Sequence, residues 1–147
     1  ATVEPVRFKA RDGLPLLAYL TLPPGGPAKK LPLVLCVHGG PWFRDHWGYD
    51  PVVQWLANRG YAVLQVQFRG STGFGKRHLN AGNGQWGVGG MQNDLSDAVR
   101  WAVAKGIANG FPLSAIVTRR ELGRQWSMGA VTTTFGGNPV SCAATRQ

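Results

Sequence analysis

The glycine pair in His38-Gly39-Gly40 is where this chain could do chemistry with its backbone. The pair directly follows residues 31–37, a continuous apolar run typical of a strand buried on both faces of a sheet. Glycines leave backbone N–H groups open to an approaching oxyanion, which is what acyl transfer requires. The same glycines also suit a tight turn with positive φ. The residues alone leave both interpretations open.

A serine nucleophile would need a sharp turn and a histidine later in the chain. The nearest approximation to the G-x-S-x-G elbow is Gln125-Trp-Ser-Met-Gly129, in which Gln125 replaces the first glycine. All three histidines, at positions 38, 46 and 78, precede Ser127, so the order serine, acid, histidine cannot be met. Ser127 is therefore a candidate nucleophile without a matching base.

Composition restricts the class of protein. The chain has 147 residues, of which 44% are apolar and 16% are charged, and this composition predicts a globular protein with a real core. The net charge is +9, but lysines and arginines are scattered, which does not predict a nucleic-acid partner. No apolar run is long enough to cross a bilayer, so no membrane partner is expected.

The two cysteines indicate the compartment but no metal site. Cys36 and Cys142 lie far apart and in no metal-ligand spacing. Cys36 falls within the apolar run 31–37, which predicts a buried free thiol and a reducing, cytoplasmic location. The sequence does not predict an oligomeric state.

The polarity pattern predicts alternating strands and helices, which is typical of an α/β fold. The predicted elements are a hairpin over 6–22 with Asp12-Gly13 at the bend, a strand over 31–37, a helix over 51–59 capped by Asp50, a strand over 61–68, and a helix capped by Asn93 or Asp94. A glycine-rich stretch, residues 69–90, separates the last two, and a loop of that length is usually functional or packed on its own side chains.

Four motifs make the resemblance to a known family specific. They are Val37-His-Gly-Gly-Pro41, Trp55-Leu-Ala-Asn-Arg-Gly-Tyr-Ala-Val63, Phe68-Arg-Gly-Ser-Thr-Gly-Phe-Gly75 and Asp94-Leu-Ser-Asp-Ala-Val-Arg-Trp101. Their order resembles the prolyl oligopeptidase family, in the branch of acylaminoacyl-peptidases and dipeptidyl-aminopeptidases, over residues 1 to about 104. The resemblance implies the N-terminal part of an α/β-hydrolase fold, with an antiparallel hairpin before an incomplete, doubly wound, mostly parallel sheet. It also implies serine-dependent hydrolysis of a peptide or small ester.

The resemblance assigns roles to residues of the two motifs that follow predicted strands, Val37–Pro41 and Phe68–Gly75. It implies that Gly39 and Gly40 supply backbone amides to an oxyanion hole, with Gly40 favoured, and that His38 shapes the loop rather than acting as the base. In the motif that begins at Phe68, Arg69 and the hydroxyl residues Ser71 and Thr72 either hold the loop after that strand near the site or form a polar turn whose hydrogen bonds are satisfied. For Trp42, Trp47 and Trp86, packing in the interior is favoured over lining a pocket.

The tail resembles a second family. Residues 104–122 and 133–144 are similar to class III aminotransferases, which use pyridoxal phosphate. This resemblance implies a Schiff base at Lys105 and phosphate binding at Thr133 and Thr134. The alternative is that Lys105 is a solvated lysine at the end of a helix, favoured by the helix dipole, and that the chain has no cofactor.

The two resemblances predict a division of the chain into a partial peptidase domain, 1–103, and a tail of different character, 104–147. A chimeric open reading frame joined between Trp101 and Asn109 would explain the change. We expect this chain alone not to hydrolyse peptides. We also expect residues 113–118 to cover the strand edge that the missing elbow strand would leave open.

Overall fold

A computed structural model describes residues 1–40, 42–86 and 89–113. They form one five-stranded sheet in the order β1-β2-β4-β3-β5, with three helices. The elements are β1 Thr2–Lys9, β2 Pro15–Leu22, β3 Leu31–Cys36, α1 Pro51–Asn58, β4 Ala62–Gln67, α2 Lys76–Asn80, α3 Gly90–Ala104 and β5 Ala108–Leu113. No helix within these ranges is long and apolar enough to span a membrane.

The hairpin of β1 and β2 has the predicted bend. Phe8 lies opposite Leu16 in the antiparallel register, and the Ala10 N–H donates to the Leu14 carbonyl at 2.9 Å. Gly13 has a φ of +85°, which a residue without a Cβ adopts at low cost. The prediction of Asp12-Gly13 at the turn is therefore confirmed.

The sheet is mixed, with an antiparallel hairpin before parallel strands, as the resemblance implies. β2 is antiparallel to β4, whereas β3 is parallel to both β4 and β5. Every residue of β4 is buried, because the strand lies inside the sheet with helices packed against it. Leu64 and Val66 join the core that includes Leu95 and Ala98 of α3, while Val63 alternates to the opposite face, where α1 contacts β4.

Helix α1 begins as the sequence predicts. The Asp50 carboxylate accepts hydrogen bonds from the amides of Val52 and Val53 at 2.8 and 2.9 Å, and Pro51 occupies the first turn. A cap of this kind stabilises a helix by about 0.5 to 2 kcal/mol. The helix ends at Asn58, and Gly60 follows with a φ of +93°.

The predicted start of α3 is wrong. The helix begins at Gly90, and its N-cap is Gly89 rather than Asn93 or Asp94. Asp94 lies one turn inside the helix and is fully buried, because its carboxylate binds Arg69. A short acidic residue that looks like a cap thus serves a contact distant in sequence.

The edge of β3 is covered by β5. We expected residues 113–118 there, but the strand begins earlier, at Ala108, and its described part ends at Leu113. The physical reason is the short turn after α3, in which Gly106 has a φ of +71° and its carbonyl accepts from the Lys30 amide at 2.8 Å. The chain is therefore back beside β3 within a few residues, and residues 114–118 lie outside the described ranges.

Candidate functional site

Two loops leave the same edge of the sheet, because β3 and β4 are parallel and end side by side. We call residues 37–50, which follow β3, the first loop, and residues 68–75, which follow β4, the second loop. Ligands of open α/β sheets bind outside the carboxyl ends of the strands. The predicted site residues His38, Gly39 and Gly40 lie at this edge, in the first loop.

His38 connects the two loops. Its Nδ1 lies 2.9 Å from the Gly39 carbonyl oxygen, and its Nε2 lies 2.8 Å from the Ser71 Oγ of the second loop. The imidazole also stacks on the buried ring of Phe68, with centroids 4.4 Å apart and planes 18° apart. These contacts fix the ring in one orientation, which fits a loop-shaping residue.

Gly40 has a backbone that other residues would not tolerate. Its φ is +132°, and a Cβ placed on it would lie 2.7 Å from the Trp42 nitrogen. Gly39 has neither restriction, since its φ is not positive and an added Cβ would meet nothing. Both residues are exposed, and within the described ranges neither amide donates a hydrogen bond to the protein. The turn requirement and the open amide therefore coincide at Gly40.

The second loop is anchored by a buried ion pair. The Arg69 guanidinium binds both Asp94 carboxylate oxygens, at 2.8 and 2.7 Å, and the Arg69 backbone amide donates to the same carboxylate at 2.9 Å. Arg69 also binds Asp12 of the hairpin turn at 2.8 Å, which lowers the pKa of that carboxyl. A Cβ at Gly90 would lie 2.7 Å from the guanidinium, so the glycine makes room for it. The sequence indicated Arg69 but missed both carboxylates, because nothing local marks them as its partners.

The first loop is tied to β4 through Gln67. Its side-chain amide donates to the Asp45 carbonyl at 2.9 Å and accepts from the Asp45 amide at 3.3 Å. The Asp45 Oδ2 is buried without a hydrogen-bond partner among the described residues, and loss of solvent raises the pKa of this carboxyl. Thr72 adds a direct link, since its amide donates to the Phe43 carbonyl at 2.9 Å. No local pattern in the sequence predicts the contact between Gln67 and Asp45.

The prediction that three tryptophans pack in the interior is wrong. Trp42 and Trp86 are each 56% exposed and Trp47 is 65% exposed. Trp42 and Trp86 contact each other edge to face, with ring centroids 5.9 Å apart, so the first loop and the segment before α3 together carry an exposed aromatic pair. Sequence hydrophobicity cannot distinguish such a surface from a core, because both use the same residue types.

The other predicted site residues lie apart from this edge. Lys105 is exposed and caps the C-terminus of α3, where the solvated alternative places it. Ser127, Thr133 and Thr134 lie outside the described ranges. A cavity of about 270 Å³ lies between the hairpin and α2, with Arg7, Gln67 and Arg77 in its lining, and the glycine pair does not line it.

The mixed sheet, with an open glycine backbone after a parallel strand, is that of an α/β fragment and fits the α/β-hydrolase class. Residues 47–112 match the prolyl oligopeptidase family. The chain is 57% identical over 110 residues to a dipeptidyl aminopeptidase BIII of Pseudoxanthomonas mexicana, a match over 70% of this chain and 16% of the relative. A puromycin-hydrolysing peptidase of Mycobacterium tuberculosis superposes with a TM-score of 0.67 at 31% identity, covering 74% of this chain and 17% of that one.

The tail has different relatives. Residues 84–147 match the class III aminotransferases. A 4-aminobutyrate aminotransferase of Mycobacterium tuberculosis is 47% identical over 58 residues, covering 40% of this chain and 12% of the relative. The N-terminal part is therefore similar to the prolyl oligopeptidase family and the tail to the class III aminotransferases, which confirms both resemblances. The two family matches overlap over residues 84–112, which include the predicted join.

Proposed function

We propose that residues 1 to about 104 are the opening part of a serine-peptidase catalytic domain, in which the Gly40 amide binds the oxyanion of the tetrahedral intermediate and Gly39 lies beside it. The observation that carries this proposal is the backbone of Gly40, in the loop after a parallel strand, which has a positive φ and an amide without a hydrogen-bond partner among the described residues. The chain spans only 16% of the peptidase relative's length, so the activity belongs to the proposal.

The chemistry is attack of a serine oxygen on a peptide or small-ester carbonyl, formation of an acyl-enzyme and hydrolysis of that ester. Negative charge develops on the carbonyl oxygen, where one preorganised donor contributes about 2.7 to 4 kcal/mol of transition-state stabilisation. The described residues supply that donor. The 147 residues contain no G-x-S-x-G elbow, so we propose that this chain alone does not hydrolyse peptides.

A hybrid enzyme tests the proposal, with residues 1–104 replacing the matching segment of the Pseudoxanthomonas relative. We expect the hybrid to cleave peptides. Gly40→Ala keeps the N–H, but its Cβ would displace the loop and turn that N–H away from the oxyanion, so we expect kcat to fall by about 100-fold to 1,000-fold, as on the loss of one oxyanion donor. Gly39→Ala is the matched variant, because a Cβ fits there, and it should cost only a few-fold. Thermal unfolding of each hybrid variant distinguishes a loss of catalysis from a loss of folded structure. Equal activity of a folded Gly40→Ala hybrid would contradict the proposal.

The 147-residue chain by itself gives a second test. A fluorophosphonate probe should leave all serines of the 147-residue chain unlabelled. Selective labelling of Ser127, together with ester hydrolysis abolished by Ser127→Ala, would show a complete site and overturn the proposal. Gly26→Ala, at a glycine with open space around it, is a neutral control for folding.

The second candidate function is that of an aminotransferase-derived segment, favoured by the family match of residues 84–147. The exposed position of Lys105 at a helix end does not fit a Schiff-base lysine, which needs a closed cofactor cradle. Treatment with pyridoxal phosphate and borohydride should therefore modify Lys105 no more than Lys29 and Lys30. Preferential modification of Lys105 would favour this candidate. Sequencing single DNA molecules across codons 100–110 tests the proposed chimeric join.

The remaining proposals concern location and partners. We propose a reducing, cytoplasmic location, supported by Cys36, which forms no disulfide within the part of the chain that the structure describes. The peptidase relatives support a peptide as the substrate, and the scattered basic residues support the absence of a nucleic-acid partner.

A further inference from the structure

The direction of the Gly40 N–H depends on the contact between the Gly39 carbonyl and the His38 imidazole. The two groups belong to one planar trans peptide, in which N–H and C=O point in opposite directions. The His38 Nδ1 lies 2.9 Å from the Gly39 oxygen and so fixes one end of this peptide. The Gly40 N–H at the other end must therefore point away from the imidazole.

The same contact indicates which tautomer His38 adopts. A carbonyl oxygen only accepts, so the Nδ1 must carry the proton. With neutral imidazole the Nε2 is then an acceptor, and the Ser71 hydroxyl, 2.8 Å away, must donate to it. The opposite tautomer would place two lone pairs against each other at Gly39. Its Nε2–H could donate to the Ser71 oxygen, but the buried Ser71 O–H would then have no acceptor among the described residues.

Ser71 is well placed to impose this state. It is fully buried, and its own amide donates to the Phe68 carbonyl at 3.0 Å. The preceding segment is anchored by the ion pair of Arg69 with Asp94, and Phe68 supplies the ring on which the imidazole stacks. The hydroxyl thus belongs to the rigid second loop, whereas the peptide it controls belongs to the exposed first loop.

We propose that Ser71 is a positioning residue, which selects the Nδ1–H tautomer of His38 and through it aims the Gly40 amide. The inference rests on the proposed role of that amide in binding the oxyanion. It concerns a hydroxyl for which the sequence offered two alternatives, and it favours the one in which the residue holds the second loop against the site.

Histidine NMR of the ¹⁵N-labelled 147-residue chain at pH 8 tests the tautomer. His38 should appear as the Nδ1–H form. His78 is an internal control of opposite sign, since its Nε2 lies 2.9 Å from the Phe68 carbonyl and must carry the proton. His46, which is exposed, reports the unconstrained ratio. A His38 signal in the Nε2–H form, or at the ratio of His46, would overturn the proposal.

Variants then test Ser71 itself. Ser71→Ala should shift the His38 tautomer ratio by about tenfold towards that of His46, the effect of losing one hydrogen bond. It should also change the Gly40 amide shift, and Ser71→Thr, which keeps a hydroxyl, should restore both. Ser96→Ala removes a serine that bonds only within α3 and should change neither. Unchanged His38 and Gly40 signals in a folded Ser71→Ala chain would refute the role.

These results are independent of whether the proposed function holds. If the hybrid enzyme is inactive but the chain shows the Nδ1–H tautomer and its dependence on Ser71, the positioning contact stands and the oxyanion role fails. If the hybrid is active but Ser71→Ala leaves both signals unchanged, the oxyanion role stands and the positioning role fails.

Discussion

The two loops at the carboxyl edge of the sheet are built in opposite ways. The second loop begins with the buried residues Phe68, Arg69 and Ser71, which are held by a bidentate ion pair. The first loop exposes Gly39, Gly40 and the aromatic residues that follow, and its fixed points are His38 and Asp45. The first loop, which carries the proposed oxyanion donor, is thus the less buried one, and the buried second loop holds it in place.

This difference separates the expected effects of mutation. Changes in the second loop should act first on stability, because they leave buried charge or polar groups unpaired. Changes in the first loop should act first on the direction of a backbone amide.

The anchor of the second loop should be the most sensitive position. Asp94→Asn removes the buried one of the two carboxylates that bind Arg69 and leaves only Asp12, which is half exposed. We therefore expect the free energy of unfolding to fall by about 3 to 5 kcal/mol in a urea titration. Arg100→Ala is the control, since that side chain is 72% exposed and its pair with Asp97 should contribute less than about 1 kcal/mol. A loss below about 1 kcal/mol for Asp94→Asn would show that the second loop has no such anchor.

Cys36, at the base of the first loop, should react slowly. Burial raises the pKa of its thiol to about 11, so less thiolate is present at pH 8 than for an exposed cysteine. Mass spectrometry of the Cys36 peptide should show alkylation by iodoacetamide about a hundredfold slower in the folded chain than in urea. Similar rates would mean that the first loop opens down to β3.

Gly40→Ala in the 147-residue chain should have a smaller effect on stability than Asp94→Asn. The positive φ and the close approach of the Trp42 amide predict a loss of about 1 to 3 kcal/mol. Gly39→Ala should leave the melting temperature nearly unchanged, since its Cβ meets nothing. Equal losses at the two glycines would contradict the assignment of the strained backbone to Gly40.

Acid should weaken the contacts around the hairpin turn. Hydrogen bonds from Arg11 lower the pKa of Asp97, and those from Arg69 lower the pKa of Asp12. A carboxyl whose pKa is lower in the folded state stabilises above its ordinary pKa of about 3.9, and that contribution is lost as the pH falls through the folded value. The melting temperature should therefore fall below about pH 4, and less steeply in Asp97→Asn. If the melting temperature of Asp97→Asn fell as steeply with pH as that of the unmodified chain, Asp97 would be excluded as a source of the acid-dependent loss of stability.

The sequence could predict the features that depend on local patterns. The hairpin bend at Gly13, the Asp50 cap and the burial of β4 all follow from neighbouring residues. The glycine pair could also be found, because an apolar strand followed by glycines is visible in the chain itself.

The features that the sequence could not predict depend on contacts distant in sequence. Asp94 looks like a helix cap until Arg69, 25 residues away, is placed beside it. The exposed tryptophans could not be distinguished from core residues by hydrophobicity, and the Ser71 bond to His38 joins two loops 33 residues apart. Only parallel pairing of β3 with β4 brings those loops together.

The most direct measurement is the structure of the hybrid enzyme with a boronic acid bound to its serine, since the boronate oxygen occupies the position of the oxyanion. We predict a distance of about 2.7 to 3.1 Å from that oxygen to the Gly40 nitrogen, with the Gly39 carbonyl still bound to His38. An oxygen farther than about 3.5 Å from the Gly40 nitrogen, with its donors elsewhere, would contradict the proposed function.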